Sequence, residues 1–168
     1  HPLSLFIGWF EKFGYKKADD VVSLLPNAKE HIDEIAKAGH KFKYIPNGLD
    51  TSVLVNEPLP EDVISVIPKN KFVIGYTGTI GLANALEYFV DAAGILKDRT
   101  EFYFVIVGEG YLKDELIAKS KDFGNIVFLN KIRKNQVQSM IQHFDLCFVG
   151  RNDTPLFKHG VSANKYFD

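Results

Sequence analysis

The chain has 168 residues, 46% of them apolar, with 14 Phe, 7 Tyr and 1 Trp. That is about one domain's length with material for a real core, which excludes intrinsic disorder. Twenty Lys and Arg against 21 Asp and Glu leave a net charge of −1, so no global field draws in nucleic acid or anionic lipid, and a charged ligand must be handled locally. The lone Cys147 excludes an intrachain disulfide framework and a cysteine-based metal site and fits a reducing compartment, so cytoplasm is the expectation.

Leu3, Phe6, Trp9, Phe10 and Phe13 recur at three- and four-residue spacing, which predicts a helix over about 3–17 with one wide apolar face. Gly8, Glu11 and Lys12 interrupt the apolar run, which falls short of the roughly 18 residues a spanning helix needs. No basic start or small-residue cleavage site marks a signal peptide. Val21 to Leu25, between Asp19-Asp20 and Pro26-Asn27, reads as a buried strand. Ala28 to Lys37 reads as a helix that Gly39 stops, and Phe42 to Ile45 as a second short strand ended by Pro46-Asn47-Gly48. Pro58, Pro60 and Pro68 with Glu57, Glu61 and Asp62 form a polar crossing and a candidate boundary at about 57.

Stronger elements follow. Strands are expected at 71–76, 102–107, 126–129 and 146–149, and helices at 82–96, 111–121 and 136–144, with a last helix opening at Ser162. The chain stops inside that helix, at Lys165-Tyr166-Phe167-Asp168, without a stop signal; together with a start at His1 this reads as a piece of a longer protein. Apolar strands alternating with helices imply an α/β fold, a Rossmann-like parallel sheet with helices on both faces. Ligands then sit beyond the carboxyl ends of the strands, at loops 77–82, 108–111, 129–134 and 150–164.

Gly78 and Gly81 flank Thr79 just before a predicted helix, where backbone amides can meet an anion; a tight strand-to-helix turn explains them equally well. Gly108-Glu109-Gly110 lacks the third glycine of the dinucleotide fingerprint, and Phe128 stands where its acidic residue belongs. No Lys-Ser or Lys-Thr follows either loop, so a Walker site is absent. From 129 to 168 six cations (Lys131, Arg133, Lys134, Arg151, Lys158, Lys165) face three acids (Asp145, Asp153, Asp168), a local +3 suited to a diphosphate. Ser162 or Asn164 can cap the last helix, leaving amides and Lys165 to converge on phosphate oxygens. Asp168, one turn in, would face the same pocket, where a carboxylate can take both ribose hydroxyls; the plain alternative is a solvated Lys165–Asp168 ion pair. His159 could touch a phosphate. His31 beside Asp33 and Glu34 reads as solvated surface rather than a metal site, Cys147 as a small core residue, and no catalytic Ser/His/Asp or Cys/His set can be assembled.

The residues resemble a known family. Tyr44-Ile45-Pro46-Asn47-Gly48-Leu49-Asp50 is similar to the interdomain segment of glycosyltransferase family 4, the group 1 glycosyltransferases, and follows Ala18-Asp19-Asp20-Val21-Val22 as it does there. Further similarities are Gly75-Tyr76-Thr77-Gly78-Thr79-Ile80-Gly81-Leu82, Val107-Gly108-Glu109-Gly110, Val127-Phe128-Leu129 and Phe144 to Val149. Asp153-Thr154-Pro155-Leu156-Phe157 and Ser162 to Asp168 resemble the bacterial branch that builds O-antigen, capsule or colanic acid. The resemblance implies a GT-B architecture: residues 1–57 as the last α-β-α-β of an N-terminal acceptor domain, and 58–168 as most of a C-terminal nucleotide-sugar-binding domain.

It further implies transfer of a sugar from a UDP- or GDP-sugar to a lipid-linked glycan acceptor, with retention of configuration and without a metal or other cofactor. The full-length protein would act in the cytoplasm or at the inner face of the membrane, in peripheral contact with it. Asp168 falls on the second acid of the family's Glu-x7-Glu motif, which bonds the ribose; Gly160 occupies the place of the first. The family's phosphate-binding Arg and Lys are missing, with Thr79 and Ala83 or Asn84 near those places. The diphosphate then falls to amides at Gly78, Thr79, Gly81, Ser162 and Asn164 and to Lys165, with Lys131, Arg133, Arg151 or His159 as further phosphate or base contacts, and the catalytic residues stay unassigned. Two alternatives stand beside this reading: a GT-B nucleotide-sugar 2-epimerase, for which no His and carboxylate set is evident, and a flavodoxin-like binding module without chemistry.

Overall fold

The structure is a computed structural model that describes residues 2–48, 56–154 and 157–161. It divides into two compact units, one within residues 1–49 and 153–167 and the other within 50–152.

The first unit runs α1 (Pro2–Lys17), β1 (Val21–Ser23), α2 (Ala28–Ala36) and β2 (Phe42–Tyr44). β1 and β2 pair in parallel, Val21 beside Phe42 and Ser23 beside Tyr44, and α2 makes the crossover that parallel pairing requires. Ala28, Ile32 and Ala36 repeat at four-residue spacing, so they share one helix face, and with Ala38 they form the unit's buried centre. Tyr15, Val21, Leu25 and Phe42 pack around them. α2 ends earlier than Gly39: Lys37 takes the left-handed conformation (φ 54°) and its amide donates to the Asp33 carbonyl at 2.9 Å. At the end of α1, the Lys41 ammonium donates to the carbonyls of Lys16 and Ala18 at 2.8 and 2.7 Å, neutralising the negative helix terminus. The wide apolar face of α1 is not the side turned to α2. Glu11 and Tyr15 contact α2, while Leu5, Phe6, Trp9 and Phe10 stay exposed among the described residues.

The second unit contains α3 (Glu61–Ser65), β3 (Phe72–Thr77), α4 (Leu86–Ile95), β4 (Phe102–Val107), α5 (Lys113–Lys119), β5 (Ile126–Leu129), α6 (Val137–Ile141) and β6 (Leu146–Cys147). All its strands are parallel, in the order β5-β4-β3-β6. Alternation within each strand sorts side chains between two cores. Ile74, Tyr76, Phe104 and Ile106 pack with Leu86, Phe89 and Val90 of α4. Val73, Val105 and Val107 point the other way, to Ile67 after α3 and Met140 of α6. Helices therefore cover both faces, as the apolar strands require. α3 lies in the polar crossing, where the sequence placed no element; Pro60 precedes it and Glu61 and Asp62 occupy its first turn, the side chains that favour a helix start.

Two expectations are corrected. No helix follows Gly81 directly: a 3-10 turn over Leu82–Asn84 and a left-handed Ala85 (φ 49°) intervene before α4. Cys147 is exposed, because β6 is the edge strand of this sheet and its outer side is uncovered among the described residues. Among those residues no helix is long and apolar enough to cross a membrane.

Candidate functional site

The order in which strands are added reverses between β3 and β6: β4 lies on one side of β3, and β6, last in the chain, on the other. In such sheets the carboxyl ends beside this switch point form the ligand crevice. Here the loops after β3, β4 and β5 enclose a cavity of about 290 Å³, lined by Thr77, Gly78, Thr79, Gly108, Glu109 and Lys131, with Ile132 and Val137 as its apolar wall.

The first two loops are zipped together by backbone bonds. The Gly78 amide donates to the Val107 carbonyl at 2.9 Å, the Ile80 amide to Glu109 at 2.9 Å, and the Leu112 amide to Ile80 at 3.3 Å. Such close approach explains both glycines of Gly108-Glu109-Gly110. A Cβ on Gly108 (φ 156°) would collide with the Gly78 carbonyl, and one on Gly110 with that of Ile80. Side chains fix the turn from beneath: the Tyr76 hydroxyl donates to the Thr79 carbonyl at 2.7 Å and the Asn84 amide group to the same oxygen at 3.0 Å. Burial pushes the Tyr76 phenol far above its ordinary pKa, so it remains a donor. Tyr111 holds the far side, its hydroxyl accepting from the Leu82 amide at 3.1 Å.

This zipping decides which amides can serve a ligand. Gly78, Ile80 and Leu82 have spent theirs on protein acceptors, whereas those of Thr79 and Gly81 make no hydrogen bond among the described residues. Loop chemistry, not a helix terminus, therefore supplies the donors at this point.

Lys113 was not among the residues singled out from sequence, yet it organises the site. Its ammonium donates to the carbonyls of Gly108 (3.1 Å) and Leu129 (3.3 Å), the Asn130 side chain (3.0 Å) and the Glu109 carboxylate (2.9 Å), and its side chain is only 12% exposed. These acceptors come from two loops, so one lysine ties the ends of β4 and β5 together. The hydrogen bond from Lys113 holds the Glu109 carboxyl below the usual carboxylate range, helped by the Lys131 backbone amide. The i,i+4 spacing of Glu109 and Lys113 was the available signal, but it does not reveal the three other acceptors.

Other candidates fall as follows. Lys131 lines the cavity. Arg133 reaches Glu57 at 3.3 Å, beside a turn anchored to the crossing by the Gln136 side chain donating to Pro58 at 3.0 Å. Arg151 lies in the loop after β6, whose next residue, Asn152, donates to the Leu82 carbonyl at 2.7 Å. His159 belongs with the first unit, where its carbonyl accepts from the Asn27 amide at 3.0 Å and its ring lies 5.2 Å from that of His31. His31 is engaged rather than solvated, its Nε2 lying 2.8 Å from Glu11. Ser162, Asn164, Lys165 and Asp168 lie outside the described residues. Among the described residues no three His, Cys, Asp or Glu side chains gather as metal ligands.

No protein-family model matches this sequence, and no curated protein does. Solved structures share its fold. HepE of Anabaena, in complex with UDP and glucose, superposes with a TM-score of 0.62 at 15% identity over 85% of this chain and 41% of HepE. A mutant of TarM from S. aureus, in complex with fondaparinux, α-GlcNAc-glycerol and UDP, gives 0.59 at 16% identity over 83% of this chain and 26% of TarM. WaaG, a glycosyltransferase involved in lipopolysaccharide biosynthesis, gives 0.59 at 15% identity over 79% of this chain and 38% of WaaG. The likeness is one of fold: the α/β class read from the sequence, a Rossmann-like parallel sheet with helices on both faces, is the one these GT-B structures share. The chain spans between 26% and 41% of their lengths.

Proposed function

We propose that this chain carries the donor-binding portion of a retaining, metal-independent glycosyltransferase of the family 4 type, which takes a UDP- or GDP-sugar and passes the sugar to a lipid-linked glycan acceptor in surface polysaccharide synthesis. The observation that carries the reading is the cavity at the carboxyl ends of β3, β4 and β5, which the Thr79 amide, free of protein acceptors among the described residues, and Lys131 both border, with the second free amide, that of Gly81, in the same loop. The shared fold supports it, since HepE was crystallised with UDP-glucose and TarM with UDP. The leaving group of such a transfer is a nucleoside diphosphate, and fixed N–H dipoles and cations stabilise its developing charge without a metal. In this reading Gly78 shapes the turn while Thr79 and Gly81 supply amides to the diphosphate. Ser162, Asn164 and Lys165 complete its binding, Asp168 takes the ribose hydroxyls, and Lys131, Arg133 or Arg151 assists. The protein works at the cytoplasmic side of the membrane that carries its acceptor.

Calorimetric titration of the chain with UDP, GDP, ADP and their sugars, with and without EDTA, tests this. One nucleoside diphosphate should bind best and be indifferent to EDTA. Asp168→Ala should weaken it by about 10- to 100-fold, the loss of a charge-assisted contact of about 1.5–3 kcal/mol. Equal binding by both proteins removes the ribose role, and failure to bind any of the three overturns the reading.

A further inference from the structure

The opposite end of the same sheet holds a second cavity, of about 340 Å³, beneath the amino ends of β3 and β6. Its rim carries Lys69, Lys71, His143 and Asp145, and its floor is apolar, with Ile67 and Val73 buried and Ile64 and Pro68 beside them. The volume lies in the range of small-molecule sites, and a few converging polar groups over an apolar floor are what such sites present.

What distinguishes this rim from ordinary solvated charge is the state of its cations. Among the described residues no carboxylate pairs with Lys69, Lys71 or His143. Asp145, the one acid on the rim, is turned to the backbone: its Oδ2 accepts from the Val73 amide at 2.7 Å, while its own amide donates to the Val73 carbonyl at 2.8 Å. That reciprocal clamp ties β6 to β3 and commits the carboxylate to the backbone, so neither lysine is ion-paired with it. Lys71 is also held in place, its ammonium 5.4 Å from the centroid of the Tyr103 ring. Unpaired cations in a concave, apolar-walled site concentrate their field on whatever enters.

From this geometry we infer that the cavity at the amino ends of β3 and β6 binds a small phosphomonoester, its dianionic phosphate between Lys69, Lys71 and His143 and its organic body on Ile64, Ile67 and Pro68. A phosphate presents three terminal oxygens, one each for Lys69, Lys71 and His143, where a carboxylate has two. The apolar floor gives the organic body an advantage that free phosphate lacks. This site is separate from the carboxyl-end cavity and does not depend on what that cavity binds.

The probes are phenyl phosphate and inorganic phosphate, titrated into the isotopically labelled full chain. Phenyl phosphate should shift the amides of residues 67–73 and 143–145 in a saturable way, with inorganic phosphate at least tenfold weaker. The double variant Lys69→Gln, Lys71→Gln should lose at least tenfold in affinity at an unchanged melting temperature. His143→Gln, which leaves both lysines, should lose less. Shifts at 77–79 and 107–109 instead, no saturation, or unchanged affinity in the double variant would sink the proposal. Equal binding of inorganic phosphate would overturn the role of the apolar floor.

Discussion

The two units are built from the same βαβ idea and reach very different degrees of completion. The second has a parallel sheet of four strands with helices on both faces, and its central strand β4 buries Phe104 and Ile106 on one side and Val105 and Val107 on the other. The first has two strands of three residues, and its buried centre is three alanines and Ile32. Beside that small core, α1 leaves Trp9 58% exposed within a wholly apolar face. A two-stranded sheet is marginal in water, and only packing on other elements gives it independent stability. The difference teaches that large, two-sided burial goes with the unit whose loops must hold a cavity in shape.

Truncation in each core puts the largest strain on that comparison. Phe104 is 1% exposed and contacts Phe89 at 5.2 Å between ring centroids, so Phe104→Ala should cost about 3–5 kcal/mol. Ile32→Ala removes a smaller side chain from among alanines and should cost about 2 kcal/mol, at the low end for such a change. Urea unfolding of both variants gives the two values. Native-state hydrogen exchange should rank the units in the same order, with amides of 72–77 and 102–107 slowest and those of 21–23 and 42–44 faster. Equal protection of both pairs of strands would break the contrast.

Lys113 tests how the larger unit spends its stability on the site. Lys113→Met keeps the apolar stem and removes the donor, leaving the Gly108 and Leu129 carbonyls without it. We expect a cost of about 1–3 kcal/mol and looser exchange protection at 108–110 and 129–131. The pH dependence has a definite sign. Glu109 is held below its unfolded pKa chiefly by its hydrogen bond with Lys113. Its share of stability is therefore present above the ordinary carboxylate range and lost as pH falls through the depressed value. In Lys113→Met that acid-side loss should shrink, and the Glu109 carboxyl carbon should titrate higher by NMR.

How far the sequence reveals this arrangement depends on how local each cause is. The strands at 102–107 and 126–129 were legible to the residue, because unbroken runs of β-branched and aromatic residues carry their own signal. Their alternation also fixes which side chain meets which helix layer. The start of α4 was hidden because Leu82, Leu86, Phe89, Val90 and Ala93 keep helical period across a break placed at Ala85, a residue type that favours helix. Cys147 was misread because an apolar run looks the same at an edge as at the centre of a sheet; strand order is a tertiary fact. Lys113 was missed for a related reason, since its acceptors lie between 4 and 17 residues away and meet only once β4 and β5 are paired. The glycines of Gly108-Glu109-Gly110 were visible as a loop, yet their cause is the neighbouring loop's backbone.

The smallest expected effect belongs to the smaller unit, where one carboxylate joins α1 to α2. Glu11 Oε1 accepts from the Tyr15 hydroxyl at 2.9 Å and meets His31 Nε2 at 2.8 Å. Its hydrogen bond with His31, more than that with Tyr15, holds it below the usual carboxylate range. That contribution is complete above the ordinary Glu pKa and fades as pH falls through the lowered one. About a third of each partner is exposed, so solvent screens the pair and Glu11→Gln should cost only about 0.5 kcal/mol at neutral pH. Tyr15 gives a sharper readout than stability. Its phenol is pushed up to about 12, first by burial and then by Glu11. In Glu11→Gln the burial remains and the negative partner is gone, so ultraviolet titration should find the phenol lowered but still above its ordinary value. A phenol that does not move would mean that Tyr15 does not donate to Glu11 within α1.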